Sequence, residues 1–177
     1  MTKSLKNYKQ KLLKISTIFL DIDGVLTDGS VIIASDGEQL RNMHVKDGYA
    51  LQLAVKKGYR IVIISGGRSS LMPKRFEYLG ITDVFLGVDN KINCFRKFME
   101  ENNITQEQTL YMGDDIPDIE VMKNVAIACC PADAAEEVKS VAHYISHLPG
   151  GKACVRDIIE QIMKVQGKWF DQDAICW

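Results

Sequence analysis

The chain lacks long hydrophobic runs, and it lacks an excess of charge of either sign. Its longest apolar segments, such as Ile61–Ile64 and Val125–Cys130, are far shorter than the roughly 20 residues that a membrane-spanning helix needs. Lys and Arg together number 22 against 23 Asp and Glu, which gives a formal net charge of −1. This balance does not favour nucleic acid or an anionic membrane, so we expect neither as a partner.

Patterned cysteine and a secretion signal are also missing. The five cysteines are an odd number and include no CxxC pair, which favours reduced thiols over a disulfide framework. The first 14 residues are basic but contain neither an apolar stretch nor a small-residue cleavage site. We therefore expect a cytoplasmic protein.

What is present is typical of a globular domain. The 177 residues are 46% hydrophobic and 25% charged, and we find no internal repeat or linker. The sequence therefore predicts a single domain over residues 1–177. It would have a core at about 15–166, a hairpin at about 31–45 and a C-terminal tail at 167–177.

Short apolar runs alternate with longer amphipathic stretches, which predicts an α/β fold with a Rossmann-like, doubly wound parallel sheet covered on both faces. The predicted strands are 17–20, 60–65, 84–86, 109–113, 125–130 and 143–146. The predicted helices are 5–14, one capped by Asp47 and closed by Gly58, 69–79, one capped by Asn90 and running to 101, 117–123, 133–140 and 154–165. An Asp-Gly turn between 31–34 and 40–45 predicts a protruding β-hairpin.

Asp21 and Asp23 directly follow the first buried strand. Ligands bind at the carboxyl ends of the strands in open α/β sheets, and two carboxylates there require a cation or a proton. A capped turn is the alternative for a DxD pair by itself. An EF-hand loop is excluded because its twelfth position, counted from Asp21, is Ile32 rather than Glu.

Further polar groups follow the other predicted strands. Ser65, Gly66 and Gly67 end the second long strand, while Asp114, Asp115 and Asp118 follow the strand at 109–113. Lys91 begins the helix between them. A doubly wound sheet brings these strand ends to one crevice, so the inventory predicts a site for a divalent metal and a phosphate.

Four segments, DIDGV (21–25), ISG (64–66), Lys91 and GDDIPD (113–118), resemble the four motifs of the haloacid dehalogenase superfamily of phosphotransferases in order and spacing. The resemblance extends to its fold and implies Mg²⁺ as cofactor. The segments between the motifs are too short for the cap domain that many members carry.

By this resemblance Asp21 is the nucleophile and Asp23 the general acid/base. Ser65 and Lys91 would bind phosphate, and Asp114 would bind Mg²⁺ together with Asp21 and the Asp23 main chain. The chemistry agrees with these roles because phosphoryl transfer depends mainly on positioning and charge neutralisation. We expect Asp23 to be kept protonated by its carboxylate neighbour, so that it can protonate the leaving oxygen.

Three further segments, HVKDGYALQLA (44–54), Arg75 before LGI, and PGGKACVRD (149–157), resemble the 3-deoxy-D-manno-octulosonate 8-phosphate phosphatases. The similarity spans roughly residues 17–168. Those enzymes are capless tetramers whose hairpins complete neighbouring sites, so the resemblance implies a homotetramer. The apolar residues of the predicted hairpin are Val31, Ile32, Ile33, Leu40 and Met43, and an isolated two-stranded hairpin is marginally stable in water.

The same likeness implies a set of residues that contact the sugar-acid phosphate. They are His44, Val45, Lys46, Asp47, Gly48, Gly66, Gly67, Arg68, Arg75 and Lys91. Two departures from the family pattern bear on sugar selectivity. Gly67 stands where an arginine is common, with Arg68 following it, and Ala153 replaces a glycine.

The implied reaction is Mg²⁺-dependent hydrolysis of 3-deoxy-D-manno-octulosonate 8-phosphate through an aspartyl-phosphate, in lipopolysaccharide precursor synthesis. A nine-carbon acylneuraminate-type 9-phosphate is an alternative substrate, and phosphorylated protein or nucleic-acid ends are another. A catalytically silent oligomeric regulator is the alternative from a different class. It would have no need of the carboxylate cluster.

Other features have plainer interpretations. His143 and His147 have a zinc-like spacing, but they lie on a predicted strand without an HExxH glutamate. Cys129 and Cys130 fit a buried strand as small core residues. Five cations, Arg41, Lys46, Arg68, Lys74 and Arg75, form a possible anion-binding set. The aromatic tail 169–177 either frays or docks on a partner subunit.

Overall fold

The computed structural model describes residues 8–175, and its centre is a six-stranded parallel sheet in the order β5-β4-β1-β6-β7-β8. Its strands are β1 (Thr17–Leu20), β4 (Arg60–Ile64), β5 (Asp83–Phe85), β6 (Thr109–Met112), β7 (Ile127–Cys130) and β8 (Tyr144–Ile145). The fold is the expected doubly wound α/β architecture. β1 lies at its centre, paired with β4 on one side and β6 on the other.

Helices cover both faces of the sheet. Beyond the described part of α1 (residues 8–12), they are α2 (Val45–Lys56), α3 (Met72–Tyr78), α4 (Lys91–Glu101), α5 (Ile119–Met122), α6 (Glu136–Val141) and α7 (Cys154–Val165). Residues 5–7 of the predicted first helix lie outside the described residues. No helix within residues 8–175 is long and apolar enough to cross a membrane.

The near-continuous apolar strands are explained by burial on both faces. Ile18 and Leu20 of β1 point into a core formed with α2, α3 and α7. Phe19, between them, points to the opposite core, where Phe95 and Phe98 of α4 contact its ring edge-to-face at 4.9 and 5.7 Å. β1 is therefore held firmly from both sides, which fixes the position of the residues that follow it.

The predicted hairpin is present but shorter than expected. β2 (Ile32–Ile33) and β3 (Gln39–Leu40) pair antiparallel and form a separate two-stranded sheet. Gly37, in the turn, has φ +85°, a conformation that favours glycine. The prediction of strand structure through Val45 is wrong, since the strand ends at Leu40. We call residues 31–41 the hairpin.

The start of α2 also differs from the prediction. His44, not Asp47, is the N-cap residue, and its Nδ1 accepts a hydrogen bond from the Lys46 backbone N–H at 3.2 Å. Asp47 instead lies buried in the first turn, where Oδ1 accepts from the backbone N–H of Arg156 at 2.6 Å. Its carboxylate therefore joins the start of α2 to the start of α7.

Several other predicted boundaries are confirmed. Asn90 caps α4 by accepting from the Asn93 N–H at 3.0 Å. Gly58 follows the end of α2 with φ +82°, and α7 has the predicted bounds. His143 accepts a hydrogen bond from the Ala128 N–H through Nδ1, so it has a structural role beside β7.

The described part of the C-terminal tail docks on its own chain. The Tyr49 hydroxyl donates to the Ala174 carbonyl at 2.5 Å, and Lys57 pairs with Asp171 at 2.5 Å and also with Asp173. The Trp169 ring lies edge-to-face with Tyr49 at 6.3 Å. These residues are therefore not frayed where they contact α2. Phe170 and Ile175 are still 86% and 77% exposed, and docking on a partner subunit stays a prediction.

Candidate active site

Asp21 is placed at the carboxyl end of the central strand. Its backbone N–H donates to the Met112 carbonyl at 3.1 Å, which continues the pairing of β1 with β6. The side chain is buried, and its Oδ1 has no hydrogen-bond partner. Burial raises the pKa of Asp21 to about 6, the charge of Asp118 adds to this effect, and Lys91 opposes it.

Lys91 connects Asp21 to Asp118. As the first residue of α4, it places Nζ 2.7 Å from Asp21 Oδ2 and 2.7 Å from Asp118 Oδ1. Burial alone would lower the pKa of Lys91, but the two carboxylates outweigh it and raise that pKa. The raised pKa favours the charged form of the lysine, as the predicted role in binding phosphate requires.

Asp118 is fully buried and accepts hydrogen bonds on both oxygens. Oδ1 accepts from Lys91 and from the Tyr111 hydroxyl at 2.6 Å, while Oδ2 accepts from the backbone N–H groups of Asp114 and Asp115 at 3.0 and 3.3 Å. The sequence analysis assigned no role to Asp118. Its position as the last residue of the GDDIPD segment was the signal that could have assigned it to the site.

Asp114 faces Asp21 across the end of the sheet, and its Oδ1 is also buried without a partner. Burial, together with the charges of Asp21 and Asp118, raises the pKa of Asp114 to about 7. Gly24 makes this approach possible. A Cβ added at Gly24, whose φ is +84°, would lie 1.9 Å from Asp114 Oδ2.

Asp21, Asp114 and Asp118 offer carboxylate oxygens that lie within 4.8 Å of one another. Two of the three carboxylates hold a buried oxygen without a hydrogen-bond donor. The charge of Asp118 opposes the ionisation of Asp21, and the charges of Asp21 and Asp118 oppose that of Asp114. A hard divalent cation removes both costs, and carboxylate oxygens are the ligands that Mg²⁺ favours. The donor set therefore fits Mg²⁺. The partnerless oxygens of Asp21 and Asp114 are free to bind it, whereas each oxygen of Asp118 already accepts two hydrogen bonds.

Asp23 is held by the hairpin. Arg41, the residue after β3, donates from Nε to Asp23 Oδ1 at 2.6 Å and from Nη2 to Oδ2 at 3.0 Å. The sequence did not show that an arginine 18 residues away would reach this carboxylate. The expectation that a carboxylate neighbour keeps Asp23 protonated stays a prediction.

Ser65 follows β4 and is almost fully buried at the base of a loop. Its backbone N–H donates to the Phe85 carbonyl at 3.0 Å, and its hydroxyl accepts from the Gly67 N–H at 3.1 Å. The residues that follow the carboxyl ends of β1, β4 and β6 line a cavity of about 650 Å³. Its lining includes Asp21, Asp23, Ser65, Gly66, Gly67, Lys91, Asp114 and Asp118.

The other residues expected to contact the sugar do not line this cavity. His44, Val45 and Lys46 lie at the start of α2, where Val45 and Lys46 are exposed. Arg68 is exposed beside Gly87, and Arg75 lies against Gly48, where an added Cβ would be 2.4 Å from its Nη2. With Asp47 turned towards α7, contact of these groups with sugar stays a prediction.

The PGGK segment supports the loop after β1. A Cβ added at Gly150 would lie 1.9 Å from the Gly24 carbonyl oxygen, and the Gly151 N–H donates to the Val25 carbonyl at 3.0 Å. Ala153, where the family pattern has glycine, has φ +75°. That conformation is unusual for a residue with a Cβ, which accounts for glycine being common there.

Comparison with known proteins agrees with this geometry. The family model of the haloacid dehalogenase-like hydrolases matches residues 80–149, so the fold and the site define a hydrolase of that class. The 3-deoxy-D-manno-octulosonate 8-phosphate phosphatase KdsC of Salmonella typhi is 34% identical over 158 residues, which cover 89% of this chain and 84% of that protein. This chain therefore belongs to the 3-deoxy-D-manno-octulosonate 8-phosphate phosphatase family.

Solved structures show the same similarity. The phosphatase of that name from Yersinia pestis superposes with a TM-score of 0.89 at 31% identity, covering 92% of this chain and 88% of the other. The phosphatase of the same name from Moraxella catarrhalis was solved in complex with magnesium ion, phosphate ion and KDO. It superposes with a TM-score of 0.89 at 29% identity, covering 92% of this chain and 94% of the other.

Proposed function

We propose that this phosphomonoester hydrolase acts on 3-deoxy-D-manno-octulosonate 8-phosphate, in lipopolysaccharide precursor synthesis, with Mg²⁺ as cofactor and Asp21 as nucleophile. The observation that carries the proposal is the environment of Asp21. One of its oxygens is bound by Lys91, and the other is buried without a partner at the base of the cavity. A carboxylate in that position is arranged to act on a ligand.

In the proposed reaction an Asp21 carboxylate oxygen attacks phosphorus, and the bond between phosphorus and the sugar oxygen breaks. The leaving oxygen takes a proton from Asp23, which gives the free sugar acid and an aspartyl-phosphate. Water then attacks the phosphorus of this acyl phosphate. Asp23 accepts the proton of the water, phosphate leaves, and the Asp21 carboxylate is restored.

Asp21 and Asp114 would hold the Mg²⁺, and by family resemblance the main chain of Asp23 would be a further ligand. When bound, the cation supplies positive charge that offsets the carboxylates and the phosphate. Lys91, 2.7 Å from Asp21 Oδ2, would supply the protein's own positive charge, and Ser65 with the Gly66 backbone would bind the phosphate oxygens. Lys91 is fixed by two carboxylates, so it needs no reorganisation when the phosphate arrives.

The Moraxella catarrhalis complex with KDO supports a sugar acid as the substrate. Contact of His44, Val45, Lys46 and Arg75 with the sugar requires a neighbouring subunit, since they lie outside the cavity of their own chain. A homotetramer and a cytoplasmic location are part of the proposal. The exposed apolar side chains of the hairpin, Ile32 and Ile33 among them, support the assembly.

The test is phosphate release by purified protein with Mg²⁺ from a panel of substrates. The panel contains 3-deoxy-D-manno-octulosonate 8-phosphate, an acylneuraminate 9-phosphate, a neutral hexose 6-phosphate, a phosphopeptide and p-nitrophenyl phosphate. We expect the highest kcat/KM for the eight-carbon acid. A higher value for the nine-carbon acid would select the alternative substrate, and no hydrolysis of any substrate would refute the enzyme.

A further inference from the structure

Arg41 lies almost out of contact with solvent, with only 4% of its side chain exposed. It follows β3, and its side chain reaches the loop after β1. There Nε and Nη2 each donate a hydrogen bond to one oxygen of the Asp23 carboxylate, at 2.6 and 3.0 Å. Two parallel bonds of this kind fix the plane of a carboxylate as well as its position.

The guanidinium group is also fixed on its hairpin side. Arg41 Nη1 donates to the Gln39 carbonyl at 3.2 Å, and Nη2 donates to Gln39 Oε1 at 3.1 Å. The only other side-chain contact found for the Asp23 carboxylate among residues 8–175 is the Thr27 hydroxyl, 3.4 Å from Oδ1 and near the limit of a hydrogen bond. Arg41 is therefore the main restraint on the orientation of Asp23.

The turn of the hairpin is attached to the site at a second point. Glu38 Oε1 accepts from the Ser69 hydroxyl at 3.2 Å and from the Ser70 N–H at 3.3 Å. Ser69 and Ser70 continue the loop that begins with Ser65. The hairpin is thus bound to both loops of the cavity, the one that carries Asp23 and the one that carries Ser65.

We propose that Arg41 is a positioning residue for Asp23, and that Glu38 holds the hairpin so that Arg41 reaches it. This rests on the proposed role of Asp23 as general acid and base. A general acid must lie within hydrogen-bond reach of the leaving oxygen, and Asp23 lies in the segment after β1 with 33% of its side chain exposed. The hairpin thereby positions Asp23 within a single chain that has no cap domain.

The leaving group separates this role from a structural one. A sugar phosphate leaves as an alkoxide that must be protonated, whereas p-nitrophenolate leaves without a proton. For Arg41→Gln we expect kcat/KM on the sugar phosphate to fall about 30-fold or more, within the range of general acid catalysis. Its kcat/KM on p-nitrophenyl phosphate should stay within about threefold of wild type, because this ratio does not include hydrolysis of the aspartyl-phosphate, in which Asp23 acts with either substrate.

Three variants complete the experiment. Arg41→Lys keeps the charge but not the two-pronged geometry, so it should also lose activity on the sugar phosphate. Adding Arg41→Gln to Asp23→Asn should cause no further loss, because Arg41 acts through Asp23. Arg96→Gln, at an exposed arginine on α4, is the matched control and should behave as wild type.

Glu38→Gln gives an independent reading if the Arg41 variants fail to fold, as judged by circular dichroism. It should lower kcat/KM on the sugar phosphate about threefold to tenfold while leaving kcat/KM on p-nitrophenyl phosphate unchanged. Equal losses on both substrates, or wild-type activity in both Arg41→Gln and Glu38→Gln, would overturn the proposal. If wild type instead prefers another alkyl phosphate, the proposed substrate fails, and the same contrast is measured with that ester.

Discussion

The hydroxyl of Tyr111 lies 2.6 Å from Oδ1 of Asp118, in a place where both side chains are completely buried. Tyr111 belongs to β6, so this bond joins the sheet interior to the acidic loop that follows it. The same oxygen accepts from Lys91 at the start of α4. Asp118 thus binds three parts of the site into one unit.

Asp118→Ala should lower the free energy of unfolding by about 3–5 kcal/mol, because it leaves the buried cation of Lys91 with one fewer partner and strands the Tyr111 hydroxyl. Tyr111→Phe removes only a neutral donor and should cost about 1–2 kcal/mol. Urea unfolding measures both values. Glu120→Ala, exposed on α5, is the control, and a loss for Asp118→Ala no larger than the control's would contradict the interpretation.

Asp21→Asn should abolish turnover, by about a thousandfold or more, because it removes the nucleophile while keeping the volume of the side chain. It should not destabilise the apo protein, since Asp21 is a buried carboxylate whose pKa is raised by burial. Phosphate release and thermal unfolding check the two parts. Glu101→Gln, exposed at the end of α4, is the control. Multiple turnover by Asp21→Asn above a thousandth of wild type would exclude covalent catalysis.

Activity should disappear after treatment with EDTA and return with Mg²⁺. The two partnerless oxygens, Asp21 Oδ1 and Asp114 Oδ1, point to hard oxygen ligation, which Ca²⁺ satisfies with a larger and less regular coordination. We therefore expect Ca²⁺ to inhibit by competition. Metal binding itself is measured by calorimetry, and Asp114→Asn should weaken it. Full activity in the chelated protein would refute a metal requirement.

The sequence located the centre of the site better than its surroundings. Asp21, Ser65, Lys91 and Asp114 follow or begin regular elements, and the alternation of strands and helices determines that such positions meet at one end of the sheet. Their meeting in one cavity is what the structure shows. Their catalytic roles stay predictions.

Interactions between distant segments were harder to predict. Arg41 follows a two-residue strand, and nothing in the local pattern shows that its side chain crosses to Asp23. Asp47 has the residue type of a helix cap, but the distant N-terminus of α7 provides its donor, and His44 takes the capping position. Such pairings depend on tertiary packing, which periodicity and propensity do not encode.

Asp47 predicts a pH dependence of stability. Burial raises its pKa from 3.8 to about 6, although the Arg156 N–H opposes the shift. Since the folded state holds the proton more tightly than the unfolded state, this stabilisation is full below pH 4 and is lost as the pH rises through 6. Asp47→Asn mimics the protonated form. Its free energy of unfolding should therefore rise relative to that of wild type by about 3 kcal/mol between pH 4 and pH 7.

Urea unfolding of the two proteins across that range measures the difference in their free energies of unfolding. The contributions of all other titrating groups are the same in both proteins and cancel. Glu77→Gln, exposed on α3, is the control and should follow wild type at each pH. A constant difference between Asp47→Asn and wild type would show that Asp47 does not titrate in this interval.

The hairpin presents the apolar surface for the proposed tetramer. Ile32 and Ile33 are 58% and 65% exposed, and an isolated two-stranded hairpin is marginally stable in water. Replacing both with Glu should dissociate the tetramer and raise KM for the sugar-acid phosphate at least tenfold, because the neighbouring subunit no longer completes the site. Hydrolysis of p-nitrophenyl phosphate, which needs only Asp21 and its own loops, should continue.

Met43 is unsuitable for this test because it packs against the main core, so a charge there would destabilise the fold. Leu13→Glu is the matched control, since Leu13 is 57% exposed and follows α1. Light scattering at the assay concentration gives the mass. A wild-type monomer with full activity would contradict the shared site, and an Ile32→Glu/Ile33→Glu variant that stays tetrameric would place the contact elsewhere.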